Sequence, residues 1–289
     1  KDYAHRNKYI LLWDQTMTYV GDSNLEDFFQ ALGLVLYEKK YSELELKQVV
    51  VQCKNPIEFI SKMVHFSRPF NAICKQAKLE SFLDKNVHVA IKNFIRLLKV
   101  NPYKEWIPLV MLILSLQESG KDDKRAQFPT FSELHKQWFF RFVSQMLQNI
   151  EQTVFAFLYH STSYEQREEA IVKAIHAVKN WSDFSKPFLL STLVEVQAGD
   201  FKTLVKKNLN QSENFIIPLE AIKYGLARIC VEEDPKFNVE KQYENLFVCE
   251  IVPSDTKSEN YKALQMDASW SDGGQTHVRK KFGNYALVQ

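Results

Sequence analysis

The chain has 289 residues and a formal charge of +2, from 37 basic and 35 acidic side chains. Hydrophobic residues make up 45% and charged residues 25%, which excludes a disordered chain and a strongly basic whole-chain nucleic-acid binder. Only eight glycines and nine prolines are present, too few for a turn-rich β protein, so long helices are expected.

The first residue is Lys, consistent with a segment of a larger protein, and no secretory hydrophobic region opens the chain. Tyr9-Ile-Leu-Leu-Trp13 is a short apolar run whose periodicity fits either a strand or a helix. Ser23-Asn-Leu-Glu26 has the spacing of a capping box and predicts a helix carrying Leu25, Phe28, Phe29, Leu32 and Leu36. Ser42-Glu-Leu-Glu45 repeats that signal. Asn55-Pro56 opens a third helix with Ile57, Ile60, Met63 and Val64 on one face, and Pro69 is expected to break it. Residues 86–100 form an amphipathic helix with Val87, Ala90, Ile91, Phe94, Leu97 and Leu98 aligned.

The stretch 101–117 organises the rest. From Ile107 to Leu116 almost every residue is apolar, and a helix that is greasy all round needs neighbours on every side. The run is well short of the ~20 residues that span a bilayer, so no membrane span is expected. Asn101-Pro102 reads as its opening, followed by a short turn to Trp106 and a main helix with Pro108 in its first turn. The polar connector 118–127 marks a sub-boundary at 118–129.

Thr130-Phe-Ser-Glu133 and Ser163-Tyr-Glu-Gln166 predict two further helices, the first reaching Tyr159 and the second Trp181. Others follow Pro187, Asp200 and Pro218. Pro-marked starts at Pro108 and Pro187 suggest a degenerate helix-pair repeat, 95–120 against 175–199. Leu246–Val252 reads as a strand. A small sheet combining parts of 9–13, 246–252 and 278–288 is the expected β element.

The predicted fold is therefore mainly all-α, an irregular helical-repeat or multi-helix bundle with a small β element near the termini. Residues 1–252 form the helical domain, and 253–289 a polar C-terminal extension with a basic and aromatic end.

The chain lacks Gly-x-x-x-x-Gly-Lys, Gly-x-Gly-x-x-Gly, Gly-x-Ser-x-Gly and His-Glu-x-x-His. No catalytic, cofactor or metal pattern is legible. The cysteines Cys53, Cys74, Cys230 and Cys249 form no Cys-x-x-Cys pair and read as buried thiols of an intracellular protein, cytoplasmic or nuclear. The expectation is a non-catalytic interaction or scaffold module that takes a partner helix or peptide in a groove. The rival is nucleic-acid binding through two basic patches. One is Lys202, Lys206 and Lys207; the other is Arg279, Lys280, Lys281 and Phe282, with Tyr285 beyond it. A third alternative is a helical enzyme without a standard motif.

Overall fold

A computed structural model describes residues 2–39, 55–74, 88–116, 136–180, 218–234, 237–250 and 285–288. The fold is all-α and multi-helical, with one two-stranded ribbon among the described residues. The helices are α1 (Asp2–Val20), α2 (Leu25–Tyr37), α3 (Pro56–Cys74), α4 (His88–Val100), α5 (Ile107–Ser115), α6 (Lys136–Tyr159), α7 (Tyr164–Lys179), α8 (Leu219–Glu233) and α9 (Val239–Gln242). The ribbon pairs β1 (Phe247–Glu250) with β2 (Tyr285–Val288) antiparallel, Phe247 opposite Val288 and Glu250 opposite Tyr285. The chain divides into two compact units. One draws on 1–95, 103–150 and 164–193, the other on 96–102, 151–163 and 194–289.

The first unit is built around α5. Pro108 through Ser115 are all buried, and α2, α3 and α7 pack against this helix. That is the jacket an all-round apolar helix requires. The Ile107 amide donates to the Lys104 carbonyl (3.0 Å), closing a turn before the helix. Pro108 sits in the first turn, where a missing amide costs nothing. The buried Ser115 hydroxyl donates back to the Leu112 carbonyl (2.7 Å), so it adds no unsatisfied polar group.

Four local expectations are corrected. Residues 9–13 are helical within α1 and take no part in the ribbon. Ser23 lies in a 3-10 turn (Asp22–Asn24), and α2 begins at Leu25 without a side-chain cap. Asn101 closes α4 rather than opening α5: its amide donates to the Leu98 carbonyl at 3.2 Å. Pro69 does not break α3, which runs through it for 19 residues. A proline inside a helix costs about 3 kcal/mol. Here Phe59, Met63, Phe66, Phe70 and Ile73 form one buried stripe spanning both sides of Pro69. Each such side chain recovers roughly 1.5–3 kcal/mol on burial, so continuity wins. Phe70 meets Phe28 of α2 edge-on, with ring centroids 5.3 Å apart.

Asn55 does cap α3. Its Oδ1 accepts from the Glu58 amide (3.3 Å), and its Nδ2 donates to the Glu58 carboxylate. The segments 42–53, 118–133 and 181–217 lie outside the described residues, and with them 181–199 of the second half of the repeat.

In the second unit α8 packs on both strands of the ribbon. The end of α6 turns at Ser161, which adopts a left-handed conformation (φ 50). The Thr162 amide reaches back to the Phe157 carbonyl (3.0 Å), a Schellman closure made without glycine. Lys99 of α4 pairs with Glu240 of α9 at 3.0 Å.

Candidate functional site: an uncovered helix face

Tyr9-Ile-Leu-Leu-Trp13 is as apolar as the centre of α5, yet it is treated oppositely. Ile10 is 49% exposed, Leu11 58% and Trp13 39%. Thr16 and Val20, further along α1, are buried, and α1 packs on α3. Three large apolar side chains in one turn of helix therefore face solvent. Ile10 and Trp13 share one side of the helix, while Leu11 points about 160° away from Trp13; scattered exposed apolar residues are ordinary, but two large ones on one side within a single turn mark a contact surface.

The cluster has an ordered edge. Arg6, Ile10, Trp13 and Met17 are spaced four, three and four residues apart. On an α-helix these positions fall within about 60° of one another. Arg6 is exposed and Met17 half-buried, so the seam shades from charged and open to apolar and partly covered. The spacing was readable in the sequence; what the run did not disclose is that α1 leaves it bare.

Three clusters of charged side chains serve a different end. In the first unit, Glu38 follows α2 in a left-handed conformation (φ 57). Lys179 of α7 donates to Glu38 Oε1 (2.9 Å) and to the Val35 carbonyl (3.0 Å), while His176 Nδ1 meets Glu38 Oε2 at 2.8 Å. The lysine satisfies an orphan carbonyl at the end of α2 and ties α7 to it. Its hydrogen bond holds the Glu38 carboxyl below its usual range, against some desolvation, with His176 adding to the effect.

Also in the first unit, Arg167 of α7 reaches Glu105 in the turn before α5. Its Nη2 lies 2.6 Å and its Nε 2.8 Å from Glu105 Oε1. The guanidinium stacks 3.7 Å from the Tyr103 ring centroid, with the Tyr164 ring at 5.8 Å. A flat, delocalised cation suits this slot between an aromatic face and a carboxylate.

In the second unit, Glu151 of α6 is fully buried. Arg228 of α8 approaches it, Nε to Oε2, at 3.4 Å. Tyr224 of α8 is buried beside them and stacks on Phe155, with centroids 5.8 Å apart. Burial, then the nearby Glu151 charge, push the Tyr224 phenol well above its usual range. Burial and Glu220 likewise raise Tyr243, whose ring lies 4.6 Å from Lys223 Nζ. Burial raises the Cys230 thiol. These shifts hold the two phenols and the thiol in their neutral forms at neutral pH, the opposite of an activated nucleophile.

Glu151 was missed from sequence although a signal existed. It interrupts the apolar 3–4 series Val143, Leu147, Ile150, Val154 and Leu158 on α6. A charge in such a series needs a buried partner. Of the residues singled out from sequence for nucleic-acid contact, Lys202, Lys206, Lys207, Arg279, Lys280, Lys281 and Phe282 lie outside the described residues. Tyr285 opens β2, opposite Glu250. Among the described residues no group of three or more His, Cys, Asp or Glu could hold a metal ion, and no helix is long and apolar enough to cross a membrane. Compared with family models, with curated proteins and with solved structures, the chain matches none.

Proposed function

We propose that the chain is a non-catalytic protein-interaction module, and that the first half of α1 is its docking face. The observation that carries this reading is the exposed pair Ile10 and Trp13 on one side of α1. Leaving these side chains about half in water forfeits roughly 1 kcal/mol each, a gain that a partner recovers on binding. Tryptophan is also the residue most enriched among those that dominate interface energies. Side-by-side packing of a partner helix is the recognition mode that suits a bare helical turn.

The test compares wild type with an Ile10→Lys, Trp13→Ser variant by quantitative in-cell cross-linking. The variant is expected to melt with the wild type and to lose a specific set of cross-linked proteins. A Lys173→Glu control on α7 keeps that set. Identical sets for wild type and the α1 variant would overturn the proposal.

A further inference from the structure

We infer that the occupant of the α1 face is an amphipathic helix from another protein, apolar along a three-four seam and acidic where that seam meets Arg6. This rests on the docking role proposed above and gives the partner its chemistry. The seam Arg6, Ile10, Trp13, Met17 has the spacing with which two helices interdigitate side by side. Trp13 is its large central anchor, and Ile10 lies one turn towards the N-terminus. Arg6 ends the exposed part. It is exposed and, among the described residues, makes no ion pair. The charge is thus unused within the described structure and placed where a carboxylate on a facing helix would meet it.

A lipid surface fits less well. A helix that lies in a membrane interface separates apolar from polar residues sharply. Along its whole length α1 shows almost no such separation: Asp14, Gln15 and Thr18 are interleaved with its exposed apolar residues.

The test uses the full chain and a displayed library of helical peptides. Their seam positions are fixed as Leu or Ile, and the flanking positions vary among Glu, Lys, Gln and Ser. Selection is on wild type with counter-selection on Trp13→Ser. Glu is expected to be enriched at one end of the seam. By fluorescence anisotropy, the best peptide should bind Trp13→Ser roughly thirtyfold more weakly, as for a central anchor. Arg6→Glu should weaken it about fivefold, and a peptide with that Glu changed to Lys should regain affinity for Arg6→Glu.

Trp13-dependent enrichment of basic or uncharged flanks would overturn the inference while leaving α1 as a docking face. Absence of any Trp13-dependent enrichment would overturn both. Two further results would overturn the inference: Trp13-dependent binding to phosphatidylserine vesicles, or a concentration-dependent dimer abolished by Trp13→Ser.

Discussion

Replacing Glu151 by Leu should unfold the second unit more readily than any surface change. Glu151 is fully buried and Arg228 nearly so, and the leucine would leave the guanidinium in a low-dielectric site with its carboxylate gone. Breaking a buried pair from one side costs about 3–5 kcal/mol. The 3.4 Å separation is long for a charge-assisted contact, which favours the lower half of that range. For a chain of this size about 3 kcal/mol lowers the melting temperature by roughly 6–12 °C. The double variant Glu151→Leu, Arg228→Met removes both charges and keeps apolar volume. It should recover most of the loss, because the desolvation of two ions is then no longer incurred. Differential scanning calorimetry on the four species completes the cycle. If the single variant melts with wild type, or the double variant is as damaged as the two singles added together, the pair is not what holds α8 to the end of α6.

Leu112→Asp should prevent folding of the first unit, since it places an unpaired charge at the centre of α5, whereas Leu11→Asp on exposed α1 should stay within about 0.5 kcal/mol of wild type by urea melts. Glu38→Gln should remove a pH-dependent contribution. The Glu38 carboxyl is depressed below its ordinary value of 4.5, so its stabilisation is present above that pH and is lost as pH falls through the lower folded value; wild type and variant should converge there in acid melts. Tyr224 and Tyr243 are raised above the ordinary 10, so the folded state disfavours their ionisation and loses stability as pH climbs past that value. Near-ultraviolet tyrosinate absorbance should show a late step coincident with unfolding, diminished in Tyr224→Phe. Arg167→Lys keeps the charge but loses the flat stacking on Tyr103 and the two-nitrogen contact with Glu105, and calorimetry should show a loss of about 1–2 kcal/mol.

The centre of the fold was readable because it depends on local chemistry. Ten almost unbroken apolar residues dictate burial, and Pro108 marks where the helix can begin. Capping signals did less well, because a capping box describes an option for the backbone, not a decision. Ser23 has the right neighbours but is drawn into a 3-10 turn, while Asn55 does cap. Pro69 misled because a local penalty was outweighed by a buried stripe on both its sides, a tertiary effect that no window around the proline contains. Tyr9–Trp13 could not be settled for the same reason: its composition matches that of a buried run, and only the arrangement of α3 shows which side is left open. The pairings Glu38 with Lys179 and Glu105 with Arg167 join residues far apart in sequence and carry no local signal.

The ribbon has a temporal implication for biosynthesis. β1 receives its only described strand neighbour from residues 285–288, and α8 leans on both strands. During translation, α8 and β1 leave the ribosome before that neighbour exists, so this corner waits for residues 285–288 to be made. Nascent chains stalled short of them should present α8 to proteases and chaperones that the finished protein resists.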